Sequence, residues 1–359
     1  MSSSPSSEQN SRPKILQVET GSSIPATKRK GFEVEMIDYS VYDRVPRFWR
    51  NLEKLLMLDL YLACKVRAIA NNYDIIWAGS EKVGIPLSFM GIKQPLVVVV
   101  HHPESFFKAK LLRLFKLAKR WSGIGYISNS SKRFFKEYLN IPEESLFQYF
   151  SAAYLEKIDT SEKNLFVPDG TGGMVCVGVA KRDYRTFIAA VSELEGYNTK
   201  LFVSSKYGDT LQKSLSSHIP DWIEFPGFVP EEELIRCYQN ARFVVVPLEK
   251  TTHSGAGISS VLEAAACCKA VIATNSGGMD AIIQHGETGL LVPPNDPAAL
   301  RSAIQQLWKQ PELAQKLGRA NREFVEIYFN PKDVNGRINR FLLKLLKKEG
   351  NSQAEEMLT

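Results

Sequence analysis

Short apolar runs recur along the chain in two series, separated by stretches whose apolar residues repeat with helical spacing. The first series covers residues 14–19, 32–38, 74–77, 96–100 and 124–128. Between its members, residues 52–70 and 106–121 each predict one amphipathic helix. The second series covers residues 174–177, 200–203, 223–225, 243–246, 270–274 and 289–292. Strands this short, alternating with helices, predict an α/β protein with two parallel, Rossmann-like sheets. Periodicity fades and polar residues gather over residues 141–168. The expected division is therefore a polar leader at 1–11, a first domain at 12–160, a linker at 161–169 and a second domain at 170–333. Residues 335–348, within a last segment at 334–359, return to helical spacing and are expected to pack across the domain junction.

Composition changes this picture mainly through charge. The chain has 359 residues, 44% of them hydrophobic, which is ample for two cores. Its net charge of +6 is unevenly spread: residues 1–165 carry 24 basic and 17 acidic side chains, and the remainder is nearly neutral. Nucleic acid, an anionic membrane and an anionic substrate all present phosphates to such a surface. The helix over residues 106–121 holds much of the excess. On a helical wheel Lys108, Lys110, Arg113, Lys116, Lys119 and Arg120 fall on one side, with Phe107, Leu111, Leu114, Phe115, Ala118 and Trp121 on the other. That pattern suits an anionic membrane surface, and equally an ordinary sheet-packing helix with a solvated basic face. Nucleic acid has only charge in its favour, with no matching motif. No apolar run approaches the length of a membrane span, and the five cysteines show no CxxC spacing. A cytoplasmic location is expected, peripheral at the inner membrane face if the basic helix docks there.

Ligands of doubly wound sheets bind beyond the carboxyl ends of the strands, so the loops after each strand hold the candidate chemistry. After the strand at 243–246 comes His253-Ser-Gly-Ala-Gly-Ile-Ser-Ser-Val-Leu-Glu263. Gly255 and Gly257 allow a tight turn, Ser259 or Ser260 can cap a helix starting near Ile258, and free N–H groups there face an anion. Glu263 lies one turn further on, where a ribose diol or a nearby lysine could satisfy it. Gly277 and Gly278 follow the next strand. Lys181 and Arg182 follow the strand at 174–177, Lys206 the strand at 200–203, and His101-His102 the strand at 96–100; extended neighbours point opposite ways, so only one of the two histidines faces a given cleft. Glu81, after the strand at 74–77, is either a contact for an acceptor hydroxyl or simply solvated.

Across residues 166–330 the sequence resembles the retaining glycosyltransferases of family 4, which have the GT-B fold of two facing Rossmann-like domains. The resemblance rests on Val177-Gly178, Phe225-Pro-Gly-Phe-Val-Pro-Glu-Glu-Glu-Leu234, Val246-Pro247, Val261-Leu-Glu-Ala264, Lys269-Ala-Val-Ile-Ala-Thr274, Gly277-Gly278 and Gly286-Glu-Thr-Gly-Leu-Leu-Val-Pro-Pro294. It implies a nucleoside diphosphate sugar as donor, a UDP-sugar or GDP-sugar, with no cofactor and no metal. Glu263 would then hold the ribose, the helix start at Gly255, Gly257, Ile258, Ser259 and Ser260 the diphosphate, and Phe228–Val229 would lie beside the base. Arg182, with Lys181, would balance the leaving group, Lys206 would touch phosphate or ribose, and His101 or His102 would lie near the transferred sugar. The implied acceptor is a glycan or lipid-linked sugar.

Two departures stand out. The family has a first glutamate where this chain has Gly255, which implies altered sugar recognition. The stretch between the first two strands, 12 residues from Thr20 to Gly31, is short for a crossover helix. The competing readings are a nucleotide-sugar epimerase of the same fold and a degenerate transferase acting as a binding subunit. A dinucleotide dehydrogenase is disfavoured because Val18-Glu-Thr-Gly-Ser-Ser lacks GxGxxG.

Overall fold

The computed structural model describes residues 12–19, 29–38, 45–101, 106–149, 155, 158, 173–178, 181–203, 220–227, 229–251, 255–276, 278–348 and 350. The chain forms two compact units. The first comprises residues 1–126, 131–149 and 335–359, and the second residues 127–130 and 150–334.

The first unit is built on six parallel strands: β1 (Lys14–Val18), β2 (Glu33–Ile37), β3 (Ile75–Ala78), β4 (Leu96–Val100), β5 (Gly123–Tyr126) and β6 (Leu146–Gln148). They lie in the order β2-β1-β3-β4-β5-β6. Its helices are α1 (Arg47–Leu56), α2 (Leu60–Ile69), α3 (Glu81–Phe89), α4 (Phe106–Leu114) and α5 (Asn129–Arg133); α5 begins at the residues counted with the second unit. Strands β3 and β4 are buried at every position, as continuous apolar runs require in a parallel sheet covered on both faces. β6 is a strand that the fading periodicity after residue 141 concealed.

Two helices differ from the sequence expectation. The single helix expected over 52–70 is broken, because Met57 adopts a left-handed conformation with φ 55° and ends α1. Beyond the break, the Tyr61 N–H donates to the Glu53 carboxylate at 2.7 Å. The helix expected over 106–121 stops at Leu114; Lys116 is left-handed at φ 51°, and a 3₁₀ turn follows at Leu117–Arg120.

The second unit has β7 (Met174–Val177), β8 (Thr199–Phe202), β9 (Ile223–Glu224), β10 (Phe243–Val246), β11 (Val271–Thr274) and β12 (Leu290–Val292), in the order β12-β11-β10-β7-β8-β9. All its pairings are parallel. Its helices are α6 (Tyr184–Val191), α7 (Glu231–Asn240), α8 (Ile258–Ala266), α9 (Pro297–Lys309) and α10 (Pro311–Phe329). Counted from its own first strand, the order is 3-2-1-4-5-6, so the winding reverses between β7 and β10. The loops after those two strands are where a ligand binds in such a sheet. The last helix, α11 (Pro331–Lys348), belongs to the first unit from Asn335 onward. There Phe341 packs 4.8 Å from the Phe147 ring and fills the space left by Gly123.

Candidate active site

In the second unit the chemistry gathers at the β7/β10 reversal. α8 starts without a side-chain cap: its N-cap is Gly257, at φ 82° and ψ −10°, and neither Ser259 nor Ser260 performs the capping role expected of them. Glycine is needed there twice over, for the positive φ and because a Cβ would sit 2.9 Å from Val246 Cγ1. The first-turn amides at Ile258, Ser259 and Ser260 have no acceptor within the helix and carry the positive end of its dipole.

Arg182 is brought to this helix start. Its Nε donates to the Val177 carbonyl at 2.9 Å and its Nη2 to Ser260 Oγ at 3.1 Å, and its backbone pairs with Leu248 just after β10. Gly178, at φ 124°, leaves room for the guanidinium; any side chain there would run into it. The Tyr184 hydroxyl donates to the Gly178 carbonyl and pins the same turn. Lys181, by contrast, is turned to Glu249, 3.8 Å away, with both side chains about half exposed.

Glu263 is half-buried, and its Oε2 accepts the Tyr238 hydroxyl at 2.8 Å. Tyr238, on α7, also bonds Ser260; burial first, then the Glu263 charge, push its phenol well above the ordinary tyrosine range. Arg182, Ser260, Tyr238 and Glu263 thus form one chain of contacts around the start of α8. Tyr238 was not singled out in the sequence because it lies 25 residues before its partner on another helix. Val229 packs against the core behind this site, and Gly278 is left-handed at φ 86°. Gly255 stands at the turn before α8. His102, Lys206, Phe228 and Gly277 lie outside the described residues.

In the first unit, Glu81 is neither solvated nor available to an acceptor. It is buried at the start of α3, and its Oε1 takes the Lys108 ammonium at 2.6 Å with side-chain exposures of 1% and 3%. Lys108, expected on the solvated face of its helix, faces inward instead. Burial raises the Glu81 carboxyl, but Lys108 and the His101 N–H outweigh it and hold the group below the usual carboxylate range. The Oε2 accepts that N–H at 3.0 Å, and His101 Nε2 lies 2.9 Å from the Gly79 carbonyl, an acceptor that sets this nitrogen as the donor. A second polar cluster lies at the carboxyl end of β1. There Gln17 donates to Glu19 Oε1 at 2.5 Å and Arg29 lies 4.3 Å over the Trp77 ring. Among the described residues no partner reaches Gln17 Oε1, Glu19 Oε2, Arg29 Nε and Nη1, or Trp77 Nε1, although all are buried. Burial lowers the Arg29 pKa, while burial and then the Glu19 charge push the nearby Tyr149 phenol up to about 12.

Two doubly wound parallel sheets, with a fixed arginine and an uncapped helix start at the second sheet's reversal, define a GT-B protein. Residues 159–324, a little under half of the chain, match the family model of the glycosyl transferases group 1. The chain is 39% identical over 98 residues to the D-rhamnosyltransferase WbpZ of Pseudomonas aeruginosa, a match covering 27% of this chain and only 25% of that protein. Over 342 residues, and 84% of each chain, it is 22% identical to the uncharacterized glycosyltransferase MJ1069 of Methanocaldococcus jannaschii. The fold matches that of Anabaena Alr3699/HepE, solved in complex with UDP and glucose. The TM-score is 0.70 at 18% identity, over 92% of this chain and 99% of that one.

Proposed function

We propose that the chain transfers a sugar, with retention at the anomeric carbon, from a nucleoside diphosphate sugar to a hydroxyl of a glycan or lipid-linked acceptor. The observation that carries this reading is the Arg182–Ser260–Tyr238–Glu263 chain around the uncapped start of α8. Glu263 accepts the ribose hydroxyls, and Tyr238, bonded to one of its oxygens, fixes the carboxylate's rotamer. The α8 amides and Arg182 take the diphosphate. As the bond between the anomeric carbon and the phosphate oxygen breaks, negative charge grows on that oxygen, where a guanidinium and a helix dipole stabilise it without reorganising. The acceptor oxygen bonds to the same face of the anomeric carbon and its proton passes to the leaving phosphate. The UDP and glucose bound by the Anabaena protein, and the rhamnosyl transfer for which the Pseudomonas protein is named, support this donor class.

On the first unit, the orphaned donors and acceptors of Gln17, Glu19, Arg29 and Trp77 suit acceptor hydroxyls, which both give and take hydrogen bonds. α4 supports a membrane-surface location in a form that differs from the helical wheel. Its apolar prongs point outward: Leu114 is 75% exposed and Phe115 45%, beside Phe89 and Phe107 at 51% and 47%. The Phe89 and Phe115 rings meet edge-on at 5.3 Å. Arg113, Lys116 and Lys119 line a recess of about 200 Å³ next to them, so cations and apolar prongs occupy one surface, as an anionic bilayer requires. No helix among the described residues is long and apolar enough to cross a membrane.

The test is incubation with a panel of UDP- and GDP-sugars and candidate acceptors, followed by mass analysis and NMR of the anomeric proton in the product. A glycosidic product with the donor's configuration is expected. Free epimerised sugar, or donor binding without turnover on any acceptor, would instead establish one of the two competing readings.

A further inference from the structure

The first unit has a second recess, lined in part by the last helix. A cavity of about 390 Å³ opens where Ser122 and Ser145, the residues just before β5 and β6, face α11. It therefore lies at the amino ends of these strands, whereas ligands of doubly wound sheets bind beyond the carboxyl ends. α11 lines it with Arg337, Arg340, Lys344 and Lys348. Their spacing of three, four and four residues puts all four on one helix face, along about 16 Å at 1.5 Å per residue. The half-buried rings of Phe147 and Phe341 supply an aromatic floor.

These cations differ from others on the same unit. Lys132 and Lys136 are both paired with Glu143, at 2.7 and 2.6 Å. Arg340, Lys344 and Lys348 have no carboxylate within ion-pair distance among the described residues, although Glu144 lines the recess. Like charges repeated on one helix face are unfavourable by a few tenths of a kcal/mol per pair, so the row costs stability until an anion covers it.

We propose that this recess binds an acidic oligosaccharide, a glycan whose sugars carry carboxylate or sulfate groups. A row of cations answers charges repeated along a chain. The Phe147 and Phe341 rings answer the apolar faces of sugar rings. Ser122, Ser145 and Glu144 accept hydroxyl protons that a glycan has in plenty. Single-stranded nucleic acid also pairs phosphates with cations and stacks on rings, but a DNA backbone carries no hydroxyl to donate to Glu144, Ser122 and Ser145, whereas a glycan carries many. The choice of a glycan rests on the sugar-transfer reading. The recess itself would hold the acidic chain away from the reacting end.

The test is fluorescence anisotropy of the full chain with labelled hexagalacturonate and with sulfated maltohexaose, using plain maltohexaose and a DNA hexamer as controls. At least one acidic probe is expected to bind more tightly than either control, with affinity falling as salt rises. The double variant Arg340→Ala/Lys344→Ala should weaken that binding tenfold or more while UDP-sugar binding stays unchanged. Arg182→Ala should do the reverse, so the recess and the donor site fail separately. Absence of binding by both acidic probes, equal binding by the double variant, or tighter binding of the DNA hexamer overturns the proposal.

Discussion

Both units present charged groups at the carboxyl ends of parallel strands, but they treat that charge in opposite ways. In the first unit Glu81 and Lys108 are buried together and cancel, and what remains is a rigid seat for the backbone and ring of His101. In the second unit the Arg182 guanidinium donates to the Val177 carbonyl and to the Ser260 hydroxyl, which orient it at the start of α8. Beside it the start of α8 is left uncapped. The buried Glu81–Lys108 pair serves the fold, whereas Arg182 stands at the helix start proposed to take the diphosphate. The same residue classes thus serve as scaffold in one sheet and, in the proposed reading, as binding equipment in the other.

Breaking the buried pair should have the largest effect on the fold. Glu81→Ala leaves a buried ammonium and is expected to cost about 3–5 kcal/mol, read from urea unfolding, while Glu81→Leu/Lys108→Met should recover most of the loss. A double variant as unstable as the single one would show that the pair does more than cancel charge. The same pair sets an acid limit. Because the folded Glu81 carboxyl lies below its unfolded value, its contribution is complete above the ordinary carboxylate range and fades as pH falls; Glu81→Gln should flatten that part of the stability profile.

Arg182→Ala should invert this pattern, lowering turnover about 10²–10³-fold with little change in melting temperature, as expected for loss of a preorganised charge at a leaving group. A fully active variant would end the assignment. Tyr238→Phe should have a smaller effect, roughly five- to tenfold on the donor KM, by freeing the Glu263 carboxylate to rotate. Smallest in stability is Leu114→Ser/Phe115→Ser, expected within about 0.5 kcal/mol because both side chains are exposed. It should nevertheless reduce flotation with anionic liposomes, and unchanged flotation would remove α4 from the membrane surface.

The turns of the second sheet were largely legible in the sequence because local features mark them. Gly178, Gly257 and Gly278 mark turns with positive φ, and Glu263 follows its loop by a fixed helical interval. The first sheet was read less well because its determinants are distant pairings. A helical wheel puts Lys108 with the other cations; only Glu81, 27 residues earlier, draws it inward, and no periodicity records that partner. Residues 52–70 contain no glycine or proline to announce the left-handed Met57, so the break between α1 and α2 was invisible. β6 is hard to read because it has only three residues and lies at the sheet edge, where Phe147 packs on Phe341 of α11, a helix much later in the chain.

The assignment of α11 to the first unit has a consequence for biosynthesis. The ribosome makes β5 and β6 well before the helix that covers them, so the nascent first unit keeps Phe147 and the groove left by Gly123 bare while the intervening second unit is synthesised. The second unit can complete its core before α11 has emerged in full, whereas the first is closed only once that helix is made. Shortening the chain ahead of Asn335 should therefore unfold the half of the protein that was made first.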